Sequence, residues 1–398
     1  MSLKLRITRT VHLPNRLRLA RLARAPELGP KILFLSGGSA LNQLSRALIN
    51  YTHNSIHLIT PFDSGGSSAR LRQAFHMPAV GDLRNRLTAL ADQTVKGNPD
   101  ITRLFSFRFS KEKSPEALRR RLEMMIKGRD ALIAAIPDPM RKIIRTHLGF
   151  FRQSMPENFD LREASIGNLV LTGGYLANDR HLDPVIFLFS KLAEVRGTVR
   201  PIINKNLHLA AELEDGQVLI GQHLLTGREV SPITSPVKKV YLSLTKKNPE
   251  RVRPLIRQKT INLIKEADLI CYPMGSFYSS LIANLLPNGV TQTIAQTESP
   301  KIFIPNPTLD PELVGTSVSE MVRVLIHYLK AGNAEETSVD RLLNFVLVDS
   351  KNGRYPGGLD STDVEKLGVE VIDTELVTRR SEPFFDPGLL LGILLSLA

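Results

Sequence analysis

Seven short apolar runs, each bounded by turn residues and separated by stretches of helical hydrophobic spacing, constrain this chain more than any other feature. They occupy residues 32–35, 55–59, 199–203, 268–271, 301–304, 344–348 and 369–372. Most of these runs read as strands buried on both faces. Between them, residues 41–50, 83–91, 277–286 and 317–329 place apolar side chains on one face of a helix. Strand and helix in alternation predict an α/β fold, a mostly parallel sheet with helices on both faces. Two segments depart from this order. Residues 208–213 and 217–220 flank Asp215-Gly216, a dipeptide that favours a tight β-hairpin. Residues 101–155 read as a helical insertion, in which Ser114-Pro115-Glu116 starts a helix that puts Leu118, Leu122 and Met125 on one face.

The chain's 398 residues suffice for one large core with insertions. Its formal charge of +13 resembles a nucleic-acid signature until the charge is located. Residues 1–30 hold seven Lys/Arg against one acid, and residues 101–150 hold twelve against five, so these two windows carry the whole excess. A groove that follows phosphodiester backbones spreads its cations over the binding face, and stacking on bases needs aromatic rings. This chain has no tryptophan and 6% aromatic residues, so specific nucleic-acid binding is disfavoured. The chain divides into a basic N-terminal arm over 1–30 and one domain over 31–398. In the arm, Leu3, Leu5 and Ile7 alternate with Lys4 and Arg6 as in an edge strand, and arginine interrupts every apolar run that a signal peptide would need. The apolar run 389–398 is too short to span a bilayer, and Asp386-Pro387 before it predicts a capped C-terminal core helix. Cys271 is the only cysteine, which favours a reducing, cytoplasmic setting and a buried structural thiol. The nine histidines show no zinc-ligand spacing.

Parallel sheets bind ligands at the carboxyl ends of their strands, so three glycine loops stand out. After the first strand comes Ser36-Gly37-Gly38-Ser39-Ala40, then a helix. After the second comes Pro61-Phe62-Asp63-Ser64-Gly65-Gly66-Ser67-Ser68-Ala69-Arg70-Leu71-Arg72. Here Asp63 suits a ligand hydroxyl or Mg²⁺, the Gly65-Gly66 backbone with Ser67 suits anionic oxygens, and Arg70 or Arg72 suits a phosphate fork. Downstream, Gly81-Asp82-Leu83-Arg84-Asn85 opens another helix, with Asp82 read as its N-cap and Asn85 as a ligand-facing residue. The third loop, Pro273-Met274-Gly275-Ser276, again runs into a helix.

In this order and spacing, SGGSALNQLSRAL, FDSGGSSARLR, GDLRNRLTALAD, GNLVLTGGYLAN, NKNLHLAAELEDG and PMGSFYSSLIANLL resemble the CofD superfamily, on the side of its YvcK-like branch. The resemblance implies a Rossmann-like fold and a phosphate- or diphosphate-bearing, nucleotide-type ligand. It implies that Gly37, Gly38 and Ser39 form a first phosphate loop, that Asp63 faces a metal or acceptor, and that Gly275 and Ser276 hold a second phosphate side. Asn168, Asn204 and Asn206 would line the cleft. CofD moves a 2-phospholactyl group from a guanosine diphosphate conjugate to an alcohol with Mg²⁺, whereas YvcK-like proteins are associated with UDP-sugar binding, carbon metabolism and cell shape. Two functions are therefore expected: a 2-phospho-L-lactate transferase-like enzyme with Asp63 as catalytic and metal residue, or a non-catalytic regulator that binds a UDP-sugar. Phe62 stands where the family carries the first acid of an Asp pair, which weakens the metal-dependent reading. A homodimer is compatible with the resemblance. In a third reading, Arg119 to Arg121 and the basic arm meet an acidic protein partner.

Overall fold

The structure is a computed structural model that describes residues 10–94, 97–227, 230–247, 249–334 and 336–398. The edge-strand reading of residues 3–7 lies outside these. Eleven strands are described: β1 Ile32–Ser36, β2 Ile56–Ile59, β3 Thr198–Pro201, β4 His208–Leu213, β5 Val218–Ile220, β6 Val237–Ser243, β7 Arg251–Val252, β8 Leu269–Tyr272, β9 Lys301–Phe303, β10 Phe345–Val348 and β11 Glu370–Asp373. All seven expected runs pair in one parallel sheet, in the order β11-β10-β9-β8-β1-β2-β3. The chain leaves β1 toward β2 and β3, then returns to build outward from the other side of β1 through β8. The order thus reverses at β1/β8, where the connections after two neighbouring strands diverge and leave a crevice at the strands' carboxyl ends.

The predicted hairpin is β4–β5, with Gly216 at φ 87° and the Asp215 carboxylate accepting from the Gln217 N–H. It belongs to a four-stranded antiparallel sheet, β5-β4-β6-β7, whose last two strands the sequence reading did not anticipate. The inward residues Leu209, Ala211, Val240 and Leu242 join the same core as Leu33 and Leu58 of the large sheet, so the second sheet packs over one face of the first.

Helices α1 Arg16–Arg24, α2 Asn42–Leu48, α3 Gly66–Phe75 and α4 Gly81–Ala89 are followed by a helical region between β2 and β3. It comprises α5 Pro99–Ser106, α6 Pro115–Ile126, α7 Ala131–Ala134, α8 Met140–Ser154, α9 Ile166–Ala177 and α10 Leu182–Leu192. This region has its own hydrophobic cluster, to which the α6 residues Leu118, Leu122 and Met125 contribute as their spacing predicts. Arg121 pairs with Asp130 and lies over the Phe107 ring, and Arg119 donates to the Glu157 carbonyl, so two of the three consecutive arginines hold the insertion together.

The C-terminal run forms a helix, Pro387–Leu397, whose Asp386 cap accepts from the Gly388 and Leu389 N–H groups. The basic segment packs onto it. Asn15 N donates to the Ser396 hydroxyl at 2.8 Å, and Arg18 reaches the Ala398 carbonyl. Among the described residues no helix is long and apolar enough to cross a membrane.

Candidate functional site

A cavity of about 680 Å³ opens at the β1/β8 switch point. Loop after β1, loop after β2, the start of α4, Asn168 of α9, the loop after β8 and the turn after β5 all contribute to its wall.

The first loop owes its shape to a buried arginine that sequence reading passed over. Arg86 on α4 is fully buried, and its guanidinium donates to the Gly38 carbonyl at 3.1 Å, the Gly37 carbonyl at 3.4 Å and the Ser45 hydroxyl. In a trans peptide the C=O and the following N–H point in opposite directions. Arg86 therefore turns the Gly38 and Ser39 N–H groups away from itself, and among the described residues these donate to no protein acceptor. A side chain at either glycine would force neighbours to move. A Cβ on Gly37 would stand 2.3 Å from Ser280 Oγ, and one on Gly38 would stand 2.3 Å from Asp82 Oδ1. Asp82 is thus not the N-cap expected of it. Val80 takes that position, while Asp82 sits in the first turn of α4 with its carboxylate against the first loop.

In the second loop, Gly65 caps α3, and the first-turn N–H groups of Gly66, Ser67 and Ser68 begin a helix whose dipole favours an anion. Asp63 Oδ1 accepts from Gly65 N at 3.0 Å, which leaves Oδ2 without a hydrogen-bond donor among the described residues. Arg72 cannot offer its expected phosphate fork. It donates to the Phe62, Asp63 and Leu207 carbonyls and to Asn206 Oδ1, and so braces the loop from behind. Burial lowers its pKa to about 10, and the Asp63 charge opposes that shift. Phe62 is fully buried in the core rather than facing the cavity.

Arg84 on α4 brings a guanidinium to the cavity wall with little of it engaged by the protein. The residue is only 5% exposed, its Nε donates to Asn168 Oδ1 at 3.3 Å, and its two terminal nitrogens have no acceptor among the described residues. Burial brings its pKa down to about 10, the neighbouring Arg108 adds to the fall, and Asp82 offsets part of it. Arg84 and Arg108 both line the cavity. Asn168 Nδ2 in turn donates to Ser67 Oγ, which ties α9 to the second loop.

The third loop is built differently from the other two. Gly275 and Ser276 line the cavity, but Asn306 clasps Gly275 through both its N–H and its carbonyl. Phe277–Ile282 forms a π-helical turn whose leading N–H groups are satisfied from within: Phe277 N donates to Asp310, and Tyr278 N and Ser279 N donate to Glu312, each at 2.8 Å. Ser279 Oγ is also hydrogen-bonded to Glu312 Oε1. Glu312 is 1% exposed; burial first and the Asp310 charge second push its pKa up to about 8.

Of the residues singled out from sequence, Gly37, Gly38, Ser39, Asp63, Gly65, Gly66, Ser67, Asn85, Asn168, Gly275 and Ser276 come together around this one cavity. Arg70, Asn204 and Asn206 do not line it. Arg70 pairs with Asp160, Asn204 borders a separate small depression, and Asn206 supports Arg72. Cys271 is buried in β8 among apolar neighbours, which raises its pKa well above the usual thiol value. Sequence reading missed Arg84, Arg86, Arg108, Gln222, His223, Asn306 and Asp310. The block containing Gly81 to Asn85 was in view, but nothing in its spacing separates a ligand-facing arginine from a solvated one.

Comparison with known proteins agrees with this architecture. The sequence model of the family described as 2-phospho-L-lactate transferase CofD matches residues 32–377. A gluconeogenesis factor of Bacillus subtilis is 27% identical over 361 residues, covering 89% of this chain and 93% of that protein. A putative gluconeogenesis factor of Nostoc is 29% identical over 360 residues, covering 86% and 63%. The crystal structure of a upf0052 family member from Bacillus halodurans superposes with a TM-score of 0.66 at 23% identity, covering 92% of this chain and 99% of that one.

Proposed function

The chain belongs to the CofD family, and from that premise we propose that its cavity binds a phosphate- or diphosphate-bearing ligand of nucleotide type. The observation that carries the reading is Arg84: a guanidinium buried beside a second arginine, with two donor nitrogens open to the cavity and no protein acceptor for them among the described residues. In this largely enclosed wall a charge-assisted bond to an anionic oxygen is stronger than one made in bulk water. The N–H groups of the first loop and of the α3 N-terminus supply further donors. At the mouth, the exposed side chains of Leu309 and Phe384 offer an apolar surface against which a base can lie.

Mg²⁺ is commonly held by one or two carboxylates together with ligand phosphates. Asp63 fits that role through its open Oδ2, and Mg²⁺ bound there would neutralise phosphate charge. Transfer of a phosphoester group to an alcohol would place Asp63 beside the acceptor. Binding without turnover, as in a regulator that senses a UDP-sugar, is favoured by a specific feature: Phe62 is buried in the core and supplies no second acid there.

Isothermal titration with pyrophosphate, GDP, UDP and a UDP-sugar, each with and without Mg²⁺, tests the reading. Binding of at least one of them is expected, with a loss of tenfold or more in Arg84→Gln. Asp63→Ala is expected to remove only the Mg²⁺-dependent part. Absence of binding by the wild type, or unchanged affinity in Arg84→Gln, would refute the assignment.

A further inference from the structure

The second sheet contributes a side chain to the cavity for which neither the family match nor the glycine loops account. After β5, Gly221 takes φ 131° and reverses the chain into the turn Gln222–Leu224, which brings Gln222, His223 and Thr226 to the cavity wall. His223 is latched at two points, one on its ring and one on its backbone, to a single residue of the second loop. Ser64 Oγ lies 2.8 Å from His223 Nδ1, and the His223 backbone N–H donates to the same oxygen at 3.2 Å. Thr226 Oγ donates back to the His223 carbonyl and closes the turn. Gly221 permits this approach, because a Cβ there would stand 2.9 Å from the His223 ring and 3.3 Å from Ser64 Oγ.

The latch decides which nitrogen carries the proton. Ser64 is only 4% exposed, so its single hydroxyl hydrogen needs an acceptor within the protein. Its oxygen already accepts the His223 N–H, and Nδ1 is the acceptor within reach. Donation from Ser64 to Nδ1 places the imidazole's own proton on Nε2. Nε2 has no protein partner among the described residues, on a side chain that lines the cavity.

We infer that His223 is a ligand-contacting residue whose Nε2–H hydrogen-bonds a phosphate oxygen seated against the second loop, and that Ser64 is the positioning residue that fixes its tautomer and direction. The inference rests on the phosphate-binding reading above and extends it. Ligand occupancy would bridge the antiparallel sheet to α3, so the two layers close on the same anion. The glycine loops supply main-chain N–H groups and serine hydroxyls from the parallel-sheet layer, whereas His223 reaches the cavity from the second sheet.

The test compares three substitutions by pyrophosphate titration, with matched circular dichroism as a folding control. Gln carries its amide nitrogen near the position of Nε2, whereas Asn carries its amide near Nδ1. If His223 contacts ligand, His223→Gln keeps affinity within about threefold, while His223→Asn and His223→Ala lose tenfold or more. Ser64→Ala weakens binding by an intermediate factor. If His223 merely supports Ser64, Asn substitutes and Gln does not, and that order overturns the inference. In the wild type, ¹⁵N spectra of the imidazole are expected to show Nδ1 unprotonated and the Nε2 resonance displaced by pyrophosphate. An Nε2 signal that ignores saturating ligand also overturns it. Wild-type protein that binds none of the phosphate probes defeats the underlying reading instead, and is recognised before any variant is made.

Discussion

Replacing Glu312 by glutamine tests how the third loop is held. The wild-type carboxyl is buried beside Asp310, and its pKa is raised from 4.5 to about 8. An acid with a raised folded pKa binds more protons folded than unfolded throughout the interval between the two values. Its contribution to stability is therefore fully present below pH 4.5 and is lost progressively as pH rises toward 8. The linkage relation gives a penalty that grows by about 2–3 kcal/mol from pH 5.5 to pH 7.5. Glutamine fills the same volume, still accepts from the Tyr278 and Ser279 N–H groups through its oxygen, and does not titrate. Urea unfolding of both proteins at pH 5.5, 6.5 and 7.5 measures the difference. His53, His57, His147 and His208, whose folded pKa values are lowered chiefly by burial, add an opposite slope, but they do so equally in both proteins and cancel in the comparison. The variant should gain about 2–3 kcal/mol on the wild type between pH 5.5 and 7.5. A difference that stays constant with pH would show that Glu312 is ionised in the folded protein. The account of the third loop as a helix start capped by a protonated acid would then be wrong.

Two further perturbations address the first loop. Gly38→Ala drives a methyl group into Asp82 and should lower pyrophosphate affinity tenfold or more by titration, whereas Gly216→Ala, in a hairpin turn with open space around it, should leave affinity unchanged. Arg86→Ala strands two loop carbonyls and the Ser45 hydroxyl in a buried setting, and chemical denaturation should show a loss of about 2–4 kcal/mol together with weakened ligand binding.

Much of the scaffold was written in local pattern. The seven strands, the Asp215-Gly216 hairpin, the α6 face and the Asp386-capped C-terminal helix follow from apolar runs, turn chemistry and capping residues, all of which act over a few positions. The glycine loops were legible for the same reason, since a strand followed by glycine before a helix marks a turn at the sheet's carboxyl edge. The division of labour among the arginines was not legible. Arg70, Arg72, Arg84 and Arg86 all lie near the predicted loops in sequence, yet one pairs with Asp160, two brace loops from behind and one faces the cavity. Helix phase and the partners brought in by α9, β4 and α2 set those roles.

The sequence by itself thus determined which segments become the strands of the parallel sheet, where they stop and which glycine loops follow them, because those outcomes depend on backbone sterics and local burial. Only the tertiary structure decided that β8 returns beside β1 to open the crevice, that Asp310 and Glu312 cap the third loop from within, and that His223 arrives from a second sheet. Each of those depends on contacts between residues far apart in the chain. A long-range contact is selected by the packing of whole layers, which no short stretch of sequence encodes alone.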